Sequence, residues 1–141
     1  MRILLDTNIL IDFVARREPF FDDALKVFEL CRQEKIDGVI AAHSVVNMAY
    51  ILRKNFTADE LREILLRLCK IFQVEAIDLS KLIAALNNRD FSDFEDCLQL
   101  QCALSLNADY IVTRNVKDFT AGKISAITPD EFLKILEAFN S

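Results

Sequence analysis

Oxygen-bearing side chains recur in this sequence where short apolar runs end. Asp6 and Thr7 follow the run RILL at 2–5, and His43, Ser44 and Asn47 follow GVIAA at 38–42. Asp93 and Asp96 open an amphipathic segment, while Thr113, Arg114, Asn115 and Asp118 close and follow YIVT at 110–113. In open α/β sheets, ligands bind beyond the carboxyl ends of the strands. If these runs are strands of one sheet, four segments far apart along the chain deliver oxygen ligands to a single edge. Hard cations such as Mg²⁺ take one or two carboxylates together with waters and substrate phosphate. An ion held there activates water and neutralises charge during phosphodiester cleavage, and two ions clamp both the attacking and the leaving oxygen. The run LLDTN is thus expected to deliver a metal ligand at the end of a strand.

Each of these residues also has a structural explanation when taken alone. Acids in the first turn of a helix gain about 0.3–1 kcal/mol from the macrodipole, which accounts for Asp93 and Asp96 as helix-start residues. Asp6 or Thr7 could cap the first helix. Asn47 could bond locally to backbone, and Asn115 and Asp118 suit a turn. Their joint convergence on one edge favours the chemical reading.

The elements that must position these groups follow from periodicity. RILL reads as a buried strand, and apolar residues at helical spacing (Ile9, Leu10, Phe13, Val14) follow it. A second helix, with Phe21, Ala24, Leu25 and Phe28 on one face, is expected to begin at Pro19. GVIAA is a second strand, after which Val45, Met48, Ala49 and Leu52 form a helical stripe. TADE (57–60) and SDFE (92–95) read as capping boxes, with Ser80 a cap for a short helix between them. QVEAIDL (73–79), YIVT and ISAIT (124–128) complete five strands. TPDE (128–131) combines a cap, proline at the first helical position and glutamate at the third. Alternating strands and helices imply parallel β-α-β units. The expected fold is α/β, a three-layer sandwich with a central, mostly parallel five-stranded sheet flanked by helices. The nearly all-apolar strands fit a sheet covered on both faces.

Length and composition agree with one domain over 1–141. The chain has 141 residues, 52% of them hydrophobic, with only two glycines and two prolines, which leaves no room for flexible linkers or low-complexity tracts. Apolar stretches are broken by charge well before the ~18 residues a bilayer span requires, and no secretory signal opens the sequence, so a cytoplasmic protein is expected. Four cysteines (Cys31, Cys69, Cys97, Cys102) in apolar-periodic segments read as reduced, buried thiols. One histidine and no second cysteine pair argue against structural zinc. A net charge of −5 argues against a basic nucleic-acid coat protein, though not against a nuclease whose acids surround a metal. Isolated Gly38 and Gly122 exclude the dinucleotide fingerprint, the P-loop and the hydrolase nucleophile elbow. His43 and Ser44 are sequence neighbours, an arrangement that seldom forms a catalytic pair.

The segments LLDTNIL (4–10), HSVVNMAYILRK (43–54), DFEDCLQLQCALSLNADYIVTRN (93–115) and KDF (117–119) together resemble the PIN-domain family, metal-dependent ribonucleases that include the VapC toxins of toxin-antitoxin pairs. The resemblance covers nearly the whole chain in the family's order. It implies a parallel sheet whose acidic pocket binds Mg²⁺ or Mn²⁺ and cuts RNA. Carried over residue by residue, Asp6 looks like the first metal carboxylate and Asp96 the second, with Asp93 as a nearby candidate. Asn115, with Thr113, falls at the family's last acidic or polar position, and Asp118 is a substitute for it. The departure is Asn47, which stands where many relatives carry glutamate, as in a branch of the family with asparagine there; an amide still coordinates or positions water, but brings no charge.

The expected catalytic set is therefore Asp6, Asn47, Asp96 and Asn115, with Asp93 and Asp118 as further metal ligands. Thr7, Thr113, Arg114 and Lys117 are expected to meet substrate. Arg16, Arg17, Arg53 and Lys54 are better explained as solvated helix ends. The resemblance also implies a small antitoxin partner and a homodimer, with Phe20 and Phe21 as exposed interface candidates. The alternatives are a catalytically weak PIN-like domain that binds RNA or protein, and an α/β partner-binding module without metal chemistry.

Overall fold

The computed structural model describes all 141 residues. The chain runs β1 (Arg2–Leu5), α1 (Thr7–Val14), α2 (Phe21–Arg32), β2 (Asp37–Ala41), α3 (Ala42–Ile51), α4 (Ala58–Ile71), β3 (Gln73–Glu75), α5 (Leu79–Asn87), α6 (Phe94–Ser105), β4 (Tyr110–Val112), β5 (Ala126–Ile127) and α7 (Pro129–Asn140). Short 3₁₀ turns lie at Leu52–Lys54 and Val116–Phe119. The five strands form one sheet in the order β3-β2-β1-β4-β5, and every pairing is parallel. The sheet is thus wholly rather than mostly parallel.

Alternation along the strands divides the core into two layers. Ile3, Leu5, Ile40 and Val112 face the larger layer, which holds Ile9 and Leu10 of α1, Val27 and Phe28 of α2, Met48 of α3, Leu61 of α4 and Phe132 of α7. Leu4, Val39, Ala41 and Ile111 face the opposite way, onto Leu100, Cys102 and Ala103 of α6 and onto Phe119. With both faces covered, no strand position needs to be polar until the strand leaves the core. Gly38 in β2 is required by close approach: a Cβ there would meet Cys31 Sγ at 2.7 Å and the Phe72 ring at 2.8 Å.

From β1 the chain steps to β2 and β3 on one side, then returns to place β4 on the other side of β1. The direction of winding reverses between β1 and β4, where a crevice opens at the carboxyl ends of the strands. Asp6 ends β1 at that crevice, and its backbone N–H donates to the Val112 carbonyl at 3.0 Å.

Several local expectations are corrected. The cap of α6 is Asp93, whose side chain accepts from the Asp96 N–H, so Ser92 lies outside the helix and Asp93 is not in its first turn. Likewise Asp78, not Ser80, caps α5. At these two helix starts an aspartate, rather than the nearby serine, accepts the third helical amide. Pro19 precedes α2 by two residues and sits in the turn before it, leaving Phe20 at the cap position with no side-chain bond. The strands expected over 73–79 and 124–128 pair only over Gln73–Glu75 and Ala126–Ile127, at the two edges of the sheet. Cys69 is exposed, unlike the other three cysteines. The capping box at Thr57 and Glu60 and the Thr128 cap with Pro129 at the first position form as read.

Candidate active site

Asp6 is the residue around which the crevice is built. Its position at the end of a fully buried strand leaves it only 6% exposed. Oδ1 accepts the Thr7 N–H at 2.8 Å, capping α1. Oδ2 accepts the Thr113 hydroxyl at 2.8 Å and the Asn8 amide at 3.3 Å. Thr113 in turn accepts the Asn115 N–H at 3.0 Å, so the residue after β4 both orients Asp6 and shapes the loop that carries Asn115. Burial pushes the Asp6 carboxyl above its ordinary range; the Thr113 and Thr7 bonds oppose this, while the charges of Asp118 and Asp93 add to it.

A cavity of about 430 Å³ opens over this carboxylate. Asp6, Thr7, Asn8, Ile11 and Arg17 line it from the β1 end and α1; Asn47, Tyr50 and Ile51 from α3; Glu95, Asp96 and Gln99 from α6; and Asn115 from the loop after β4. The four residues expected to be catalytic, Asp6, Asn47, Asp96 and Asn115, thus share one cavity. Asp93 and Asp118 do not line it, but both lie close enough to act on the charges of Asp6 and Asp96. The Asp96 carboxyl is pushed up to about 7 by burial first, and then by the charges of Asp93, Asp6, Asp118 and Glu95.

A small polar network joins two of these lining residues, Thr7 and Gln99, to Ser44. The hydroxyls of Thr7 and Ser44 are 2.8 Å apart, and the Gln99 amide donates to both, at 3.2 and 2.9 Å. This cross-link ties α1, α3 and α6 together behind the acids. Gln99 Oε1 has no partner, nor does either ring nitrogen of His43. Burial holds the His43 imidazole below its ordinary range, with the charge of Glu95 working the other way.

The residues expected to meet substrate are placed differently from one another. Thr7 lines the cavity. Thr113 is wholly buried and does not line the cavity; its hydroxyl donates to Asp6 Oδ2. The Arg114 guanidinium turns away from the cavity to the wholly buried Asp12 of α1, with Nε at 2.6 Å and Nη2 at 3.3 Å from its carboxylate oxygens, and stacks 4.1 Å from the Phe20 ring centroid. Phe20 carries that guanidinium on its ring and is still exposed, whereas Phe21 is half-buried and stacks on Phe13. Lys117 is exposed in the 3₁₀ turn and does not line the cavity. Arg17, assigned from sequence to a solvated helix end, is its one cationic lining residue. Glu95 and Gln99 were missed altogether. The signal lay in their spacing with Asp96, since positions 95, 96 and 99 fall on one side of a helix. Asn8, also missed, bridges Asp6 and Thr113.

The donor set fits a hard divalent cation held partly by water. None of Asp6, Asp93, Glu95, Asp96 or Asp118 forms an ion pair, although eight such pairs form elsewhere. No three acidic, histidine or cysteine side chains close into a ready chelating cluster. Sparse carboxylates with room for solvent are what Mg²⁺ requires, whereas an all-protein cage is not.

Fold and crevice define a parallel three-layer α/β domain with an acidic pocket at its topological switch point. The family model for the PIN domain matches residues 2–117, so the chain belongs to the PIN-domain family. Similar solved structures include a toxin-antitoxin complex from Klebsiella pneumoniae, at 23% identity and a TM-score of 0.67 over 90% of this chain and 97% of that one. FitAcB from Neisseria gonorrhoeae is similar at 16% identity and a TM-score of 0.68 over 90% of this chain and 97% of that one. VapBC2 from Rickettsia felis, bound to a DNA fragment from its promoter, is similar at 17% identity and a TM-score of 0.65 over 91% of this chain and 98% of that one. No curated protein matches this sequence. No helix is long and apolar enough to cross a membrane.

Proposed function

We propose that this chain is a divalent-metal-dependent endoribonuclease and the toxin of a toxin-antitoxin pair. The observation that carries the reading is a cavity in which three carboxylates, Asp6, Glu95 and Asp96, face the single guanidinium of Arg17 and form no ion pair, while burial and the neighbouring acids push the Asp96 carboxyl up to about 7. Such crowding is relieved by a bound cation. Mg²⁺ or Mn²⁺, when bound, supplies activation of water and neutralisation of charge on the phosphodiester. Asp6 and Asp96 hold that ion, with Asp93 and Asp118 adding negative field. Asn115 and Asn47 orient solvent or phosphate oxygens, and Arg17 meets the phosphate backbone from the rim. Thr113 and Asn8 keep the Asp6 carboxylate in register.

The toxin assignment rests on family membership and on neighbours that are themselves toxin-antitoxin assemblies; it brings with it a small antitoxin partner, a homodimer and a cytoplasmic site of action. The test is cleavage of single-stranded RNA by purified protein with Mg²⁺ or Mn²⁺. Activity is expected to disappear in Asp6→Asn and Asp96→Asn. Full cleavage in excess EDTA rejects the metal mechanism, and expression without growth arrest, with no neighbouring gene for a small DNA-binding protein, rejects the toxin assignment.

A further inference from the structure

We propose that Glu95 supplies the negative charge that position 47 lacks, so that the carboxylate expected on α3 comes here from α6. This rests on the metal-site reading above and adds a residue to it. Asn47 Nδ2 donates to Glu95 Oε2 at 3.2 Å, and both side chains line the cavity with Asp6 and Asp96. The two side chains therefore meet at one place, with the amide on one helix and the carboxylate on the other. A carboxylate at position 47 would stand within hydrogen-bond range of Glu95, and two like charges at that separation repel. Asparagine removes the repulsion and donates a hydrogen bond instead. With its N–H engaged by Glu95, the Asn47 amide still has a carbonyl oxygen to offer water or a cation.

The charge balance of the cavity supports this relocation. Three carboxylates line it (Asp6, Glu95, Asp96) against the single guanidinium of Arg17, and Glu95 has no ion-pair partner to consume its charge. Glu95 is exposed and follows the Asp93 cap by two positions, so replacing it leaves the cap and the core intact.

The test is titration of the full chain with Mn²⁺ by calorimetry, independent of cleavage. Glu95→Gln is expected to weaken binding by about 10- to 100-fold, the range for residues that support a metal site. Asn47→Glu is expected to restore much of that loss in the Glu95→Gln background, and to gain less in the parent, where it meets Glu95. Unchanged affinity in Glu95→Gln, or an Asn47→Glu effect that is the same in both backgrounds, overturns the proposal. If Asp6→Asn and Asp96→Asn abolish binding while Glu95→Gln does not weaken it, the metal site stands and the relocation falls. If the parent chain takes up no Mn²⁺, both fall.

Discussion

Replacing Arg114 by methionine separates a structural arginine from a substrate-binding one. Arg114 reaches from the end of β4 to Asp12 on α1, and Asp12 is completely buried while the Arg114 side chain is 28% exposed. Removing the guanidinium strands a buried carboxylate, a change that costs about 3–5 kcal/mol when one partner of a buried pair is lost. The partial exposure of Arg114 places the loss at the lower end, about 3 kcal/mol, including the stack on Phe20. For a chain of this length that amounts to a fall in Tm of roughly 10 °C. Urea unfolding should show a lower midpoint at unchanged slope. An apolar pair of similar volume, Asp12→Leu with Arg114→Met, should recover much of the loss, because no charge is then left unpaired. If Arg114→Met unfolds within about 1 kcal/mol of the parent, below even a modest buried-pair penalty, while RNA affinity drops, the reasoning is wrong and the sequence-based assignment of Arg114 to substrate is right.

Because the folded Asp96 carboxyl titrates near 7 against an ordinary 3.8, the folded chain keeps a proton that the unfolded chain has released between those values. Metal-free stability should therefore decline as pH rises through that window and level off above it; Asp96→Asn should remove this component of the slope, and an identical slope in both proteins would refute it. Gly38→Ala forces a methyl into Cys31 and Phe72 and should destabilise by about 1–3 kcal/mol in denaturant unfolding. A thiol reagent should modify Cys69 in the folded protein, while Cys31 and Cys102, pushed up to about 12 by burial, and the buried Cys97 react only on unfolding.

Much of this architecture was legible because the signals are local or strictly periodic. The buried strands announce themselves as apolar runs, and Thr57 with Glu60 and Thr128 with Pro129 mark helix starts. The winding rule for parallel sheets then placed Asp6, Asn47, Asp96 and Asn115 at one edge, and the fold puts all four in one cavity. What stayed hidden depends on partners distant in sequence. Arg114 looked free because Asp12, its partner, lies on a separate helix. Thr113 looked like a surface hydroxyl because nothing in YIVT reveals that Asp6 sits above it. Glu95 was overshadowed by the two aspartates flanking it, and only the hydrogen bond from Asn47 sets it apart. The cap of α6 was read as Ser92 because its spacing to Glu95 matches a capping box, yet aspartate suits that position equally and Asp93 takes it.

The donors gathered on Asp6 decide how it would meet an incoming cation. Each carboxylate oxygen offers about two lone pairs. On Oδ2, Thr113 and Asn8 occupy both; on Oδ1, the Thr7 amide takes one. A single vacant lobe on Oδ1 is left, so Asp6 would meet the proposed cation through one oxygen. An ion that insists on chelation by both oxygens would have to dismantle a helix cap or a strand-to-loop tether, which favours a small octahedral ion over a large one with loose coordination.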